Sequence, residues 1–229
     1  MRRPRLAVVD YGIGNLHSAR KAHERAGADA VLTSRPRDIA SADGVVLPGV
    51  GNVGSCLGAL RERGLEQAVL EAAGAVPFLA ICVGAQMLFD ASTESPGIAG
   101  LGIIPGTVDW ISGDVKRPQM QWNRVVASDG EPMFAGLEPR PWFYFVHSLH
   151  GVPLDRSHVA ATCEYGGTIN AAVAEVIGLP ASLFFEPAYV SVNRVLAGRS
   201  GARQLVSVNE TWHVDGSVPS PRPSGPVAS

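Results

Sequence analysis

Val76-Pro77-Phe78-Leu79-Ala80-Ile81-Cys82-Val83-Gly84-Ala85-Gln86-Met87-Leu88-Phe89-Asp90 is the stretch from which the rest of the chain is read. Val76 to Cys82 is a short apolar run and reads as a buried strand. Ala85 to Asp90 reads as the first turns of a helix. A cysteine at such a junction projects its sulfur off the sheet edge towards a helix N-terminus. The unpaired N–H groups and the dipole there favour an anion. That placement predicts a lowered thiol pKa and a thiolate, the form that attacks a carbonyl carbon. The competing reading of Cys82 is a small buried hydrophobe, the usual lot of a free cysteine.

Outward from this stretch, the first half of the chain repeats one pattern. Leu6–Asp10, Ala30–Thr33 and Gly44–Leu47 are further apolar strands. Leu16 to Ala26, Cys56 to Leu60 and Leu65 to Ala73 are helical in composition, with Gly27 closing the first. Short apolar strands alternating with helices imply an α/β fold, with a mostly parallel central sheet and helices on both faces. Sites in such sheets form at the carboxyl ends of strands. The loops Tyr11-Gly12-Ile13-Gly14-Asn15 and Pro48-Gly49-Val50-Gly51 lie at those ends, as does Cys82, so all three should converge on one rim.

After Gly100 the pattern changes. Leu101–Gly106, Val108–Ile111, Trp142–His147, Val159–Thr162 and Ala171–Val173 are short strand-like pieces divided by Gly, Pro and Asp, which predicts a strand-rich half with hairpins. From about Ser200 the periodicity fades, and Ser217 to Ser229 is rich in Pro and Ser. The expected organisation is one domain over residues 1–200 and a disordered tail over 201–229.

Composition narrows the partners. The 229 residues are 46% hydrophobic and 17% charged, enough to fill a sizeable core. A net charge of −2 without a basic block disfavours nucleic acid and anionic membranes. No apolar run approaches the roughly 20 residues of a membrane span, and the run after Met1-Arg2-Arg3-Pro4-Arg5 is too short for a secretory signal. The 3 cysteines, widely spaced, suggest neither a disulfide framework nor a metal site and fit a reducing cytoplasm.

The motifs, taken together and in order, are Val9-Asp10-Tyr11-Gly12-Ile13-Gly14-Asn15-Leu16, Leu47 to Gly51, Cys56 to Gly64, Phe78 to Phe89, Gly100 to Gly106, Met120 with Trp122-Asn123, Phe143 to Ser148, and Ala160 to Gly167. In this they resemble the class I glutamine amidotransferases, and within them the glutaminase subunits of imidazole glycerol phosphate synthases. The resemblance spans roughly residues 6 to 173. It implies a three-layer α/β fold and hydrolysis of glutamine without a cofactor. It also implies a (β/α)8-barrel cyclase as heterodimer partner, which receives the ammonia for histidine biosynthesis. By position, Cys82 would form a thioester with the glutamine amide carbon. The oxyanion would need two N–H donors at about 2.7–3.1 Å: the Val83 backbone, and Val50 or Gly51 in the loop opened by Gly49. Gln86 would reach the bound substrate. Ser148 and Leu149 would bind the amino-acid end of glutamine, and His147 before them reads as structural. Asn15, Met120, Trp122 and Asn123 would face the cyclase, although Trp122 equally suits a core position.

One departure concerns the triad. The family's C-terminal segment supplies a histidine that moves protons and a glutamate that orients it. Ungapped counting puts the histidine on Phe184 and the glutamate on Glu186; a slip of one residue puts them on Phe185 and Pro187. Phenylalanine carries no lone pair. The chain is therefore a glutaminase, or an amidotransferase-like scaffold that binds the cyclase without turnover. His147, His150 or His213 would otherwise have to take over, or a disrupted reading frame underlies the segment after Val173.

Overall fold

The computed structural model describes residues 2–173, 194–197 and 203–207. Its first half is built as the alternation predicts. β1 (Arg5–Val9), β2 (Asp29–Thr33), β3 (Gly44–Gly49) and β4 (Phe78–Cys82) form a parallel sheet in the order β2-β1-β3-β4. α1 (Leu16–Arg25), α2 (Pro36–Ala40), α3 (Val53–Glu62) and α4 (Glu66–Ala73) make the connections. Alternate residues of β1 face opposite ways, as the period of two requires. Leu6 and Val8 pack with Ala19 of α1 and with Ala30 and Val46. Ala7 and Val9 pack with Leu57 and Leu60 of α3 and Val69 of α4. Both faces of the sheet are thus covered by helices. α2, opened by Pro36, was not anticipated, because Arg37 and Asp38 hide a single turn that buries only Ile39.

The expected helix at Ala85–Asp90 is a correction. α5 (Val83–Gln86) is one turn long, and the chain runs straight into β5 (Phe89–Ser92). Long-range hydrogen bonds end the helix: the carbonyls of Met87, Leu88 and Phe89 accept from Leu101, Ile103 and Gly102 rather than from the next helical turn. Tertiary pairing overrides the helical propensity of Met-Leu-Phe.

β6 (Ile104–Trp110), β7 (Gln119–Arg124), β8 (Val126–Ala127), β9 (Trp142–His147), β10 (Leu149–Pro153), β11 (Val159–Glu164) and β12 (Thr168–Val173) make the strand-rich half. They form the sheets β10-β6-β5 and β12-β11-β8 and the antiparallel ribbon β7-β9. β7 was not foreseen, because its alternation of Gln119, Gln121 and Asn123 hides the pattern of a strand.

The chain divides into two compact units, Met1–Ala188 and Tyr189–Ser229. In the second, β13 (Arg194–Ala197) pairs antiparallel with β14 (Arg203–Ser207). β14 falls within the segment 201–229 expected to be a tail; the remainder of that segment lies outside the described residues. Among the described residues, no helix is long and apolar enough to cross a membrane.

Candidate active site

Cys82 ends β4 and opens α5, and its backbone has φ 57° and ψ −118°. It is the only residue other than glycine at positive φ among the described residues. These angles are those of the first central residue of a type II′ turn, a position dominated by glycine. A side chain held there costs on the order of 1–3 kcal/mol, and such strain concentrates at functional sites. A sharp strand-to-helix turn of this kind lifts its central side chain off the sheet edge. Cys82 is accordingly an exposed residue, unlike Cys56 and Cys163.

The turn is possible because its neighbours lack side chains. A Cβ on Gly84 would lie 2.0 Å from the Leu47 carbonyl oxygen, and one on Gly49 would lie 2.5 Å from the Gly84 nitrogen. β3 and α5 therefore touch backbone to backbone. Gly49 stands in register with Cys82 across the parallel pair, which brings the Pro48–Gly51 loop beside the sulfur. Two buried donors hold that loop. The Tyr11 hydroxyl donates to the Pro48 carbonyl at 2.6 Å, and the Cys56 thiol donates to the Val50 carbonyl at 3.3 Å. Tyr11 and Cys56 lie close to each other, and burial pushes both pKa values up. All three strand ends converge, as the α/β rule predicts. Val50 is 47% exposed, and Gly51 is exposed at φ 85°.

The electrostatics differ from expectation. Burial pushes the Cys82 thiol above the ordinary cysteine range; the Val83 backbone N–H opposes this, and nearby Cys56 adds to it. The single turn of α5 supplies too little dipole to outweigh desolvation. The ring nitrogens of His147 bond to Leu149 and Gln119, and His150 accepts from the Asn170 N–H, so neither ring is committed to the thiol.

The other expected residues take the following places. Val83 is buried, with its N–H at the Cys82 sulfur. Gln86 ends α5, partly exposed. Ser148 joins β9 to β10, and its carbonyl accepts from Ile111 at 2.9 Å. Leu149 is buried in the same core cluster as Val83 and Met87, so its side chain is not available to a ligand. Asn15 is exposed and caps α1 by accepting from the Ser18 N–H. Asn123 donates to the Glu164 carbonyl at 2.7 Å. Met120 is 60% exposed, and partly exposed Trp122 meets Tyr144 edge-on, with ring centroids 5.5 Å apart. Phe184 and Glu186 lie outside the described residues. Sequence reasoning missed Tyr11, Cys56 and Gly84; a tyrosine inside a glycine loop and a cysteine within a helix carry no chemical signal until the fold brings them together. Among the described residues, no group of His, Cys, Asp or Glu could hold a metal ion.

A cysteine on a strained turn, at the C-terminal edge of a parallel sheet beside a glycine loop, fits acyl-transfer chemistry. The family profile for class-I glutamine amidotransferases matches residues 7–177. The chain belongs to the class-I glutamine amidotransferase family, as its motifs indicate. Within that family it is similar to the imidazole glycerol phosphate synthase subunit HisH of Methylococcus capsulatus, 46% identical over 180 residues, covering 74% of this chain and 83% of that one. The subunit of the same name from Acinetobacter baylyi is 44% identical over 165 residues, covering 71% of this chain and 80% of that one. A crystal structure of a glutamine amidotransferase superposes with a TM-score of 0.56 at 16% identity, covering 80% of this chain and 90% of that one. The structure of PurLQS from Thermotoga maritima gives 0.54 at 20% identity, covering 77% and 92%. These two bear on the fold alone.

Proposed function

We propose that this chain is the glutaminase subunit of an imidazole glycerol phosphate synthase and works in the cytoplasm. The observation that carries the reading is Cys82 on its strained turn, in register with Gly49 of the Pro48–Gly51 loop. The Cys82 sulfur attacks the amide carbon of glutamine, and the carbonyl oxygen becomes an oxyanion. The Val83 N–H and one from Val50 or Gly51 receive it. Collapse expels ammonia once the proton of the thiol has passed to the nitrogen, and leaves a thioester. Water then attacks the thioester, releasing glutamate and restoring the thiol. No step needs a cofactor.

The ammonia passes to a (β/α)8-barrel cyclase, the heterodimer partner. An apolar surface supports such a partner. In the β7–β9 ribbon, Met120 is in register with Val146, Trp122 with Tyr144 and Arg124 with Trp142, and these residues share one face. Val146 is 53% exposed, and the Arg124 guanidinium sits 4.9 Å from the Trp142 ring centre. Aromatic residues and arginine of this kind are favoured at interface centres.

A second reading is favoured by Phe184 at the expected histidine position and by the raised Cys82 thiol. In it, the chain docks on the cyclase without turnover. Ammonia release from glutamine, with and without the cyclase, separates the two. Release above that of Cys82→Ser supports the glutaminase; a stable complex with no release above that control supports the scaffold.

A further inference from the structure

Gln119 is fully buried, and its side-chain Nε2 has no hydrogen-bond partner. A buried amide N–H left unpaired is expensive. In register with it on β9 stands His147. His147 Nδ1 lies 2.8 Å from the Leu149 carbonyl oxygen, and its Nε2 lies 2.7 Å from Gln119 Oε1. Both partners are acceptors, so both ring nitrogens would have to carry protons. That makes a half-buried imidazolium, bonded to no carboxylate, which desolvation opposes.

Exchanging the oxygen and nitrogen of the Gln119 amide, which have the same shape, removes both difficulties. The amide nitrogen then donates to His147 Nε2.

We propose that Gln119 and His147 form one directed hydrogen-bond chain that fixes the turn carrying Ser148 and Leu149. It runs from Gln119 Nε2–H to His147 Nε2, and from His147 Nδ1–H to the Leu149 carbonyl. Ser148 is the single residue between β9 and β10, and the Leu149 side chain packs in the cluster of Val83 and Met87. Anchoring the Leu149 carbonyl therefore sets Ser148 relative to the Cys82 turn. His147 is a positioning residue for the amino-acid end of glutamine, a role that rests on the glutaminase reading; the hydrogen-bond chain itself does not.

The test is nitrogen-detected NMR of the full chain. The expected His147 signal is a neutral ring with its proton on Nδ1. A proton on Nε2, or on both nitrogens at neutral pH, overturns the chain. His147→Leu should then shift the Ser148 and Leu149 amide resonances and raise KM for glutamine about tenfold with kcat little changed, the worth of one hydrogen bond. His147→Asn, whose amide nitrogen overlays Nδ1, should restore both. If His147→Leu does not fold, Gln119→Leu is read by the same amide shifts. Unmoved amides in a folded variant overturn the positioning role. Absence of any glutamine turnover in the unaltered chain defeats the glutaminase reading and leaves the NMR result to decide the hydrogen-bond chain.

Discussion

Gly84→Ala should dismantle the Cys82 turn. The new Cβ would sit 2.0 Å from the Leu47 carbonyl oxygen, 2.9 Å from its carbon and 3.1 Å from the Pro48 carbonyl carbon. All three atoms are backbone of β3, so no side chain can swing aside. Relief needs β3 and α5 to part by about 1 Å, which puts the cost at the upper end of overpacking, about 3 kcal/mol. For a chain of this size each kcal/mol shifts Tm by roughly 2–4 °C, so Tm should fall by roughly 6–12 °C. Gly58→Ala is the matched comparison. Gly58 lies inside α3 with nothing within 4 Å of its Cβ position. Replacing glycine in a helix interior stabilises by about 0.5–1 kcal/mol, so its Tm should rise by roughly 1–4 °C. Differential scanning calorimetry on both variants decides it. A Gly84→Ala protein that melts within roughly 2 °C of the unaltered chain refutes the backbone contact between β3 and α5.

Three further outcomes follow from the same geometry. Cys82→Gly should be more stable than Cys82→Ala by about 1–2 kcal/mol, since only glycine relieves the positive φ; equal melting temperatures would show that the turn stores no strain. The raised Cys82 thiol is protonated at neutral pH, so its alkylation rate should climb about tenfold per pH unit between about pH 6 and pH 9; a plateau at the acidic end would reveal a thiolate already present. Trp122→Ala should weaken cyclase binding by about 2 kcal/mol or more in titration calorimetry, while Thr107→Ala, on β6 and outside that ribbon, should leave it unchanged; equal effects would move the interface elsewhere.

The residues that could be read in advance are those whose pattern is local. β1, β3 and β4 are uninterrupted apolar runs, and their alternation with helices fixes a parallel sheet and its reactive edge before any coordinate is known. Cys82 and Gly49 stood out because a sulfur nucleophile and a close backbone approach call for those residue types at strand ends; the close approach is made by Gly49, while the Cβ position of Gly51 is open. What escaped depends on contacts remote in sequence. The helix after Cys82 ends at Gln86 because residues 101–104 capture the carbonyls that would have continued it. The thiol rises because burial desolvates it and Cys56 lies nearby, and no spacing in the sequence shows that desolvation outweighs one helical turn. Gln119 and His147 meet across a ribbon whose first strand has no hydrophobic alternation.

Cys82 is the proposed nucleophile that meets glutamine. Peptide mapping by mass spectrometry after exposure to a chloroketone analogue of glutamine tests it most directly. One adduct is expected, on Cys82, suppressed by excess L-glutamine, with buried Cys56 and Cys163 unmodified. An unmodified Cys82, or an adduct that glutamine does not suppress, would contradict it.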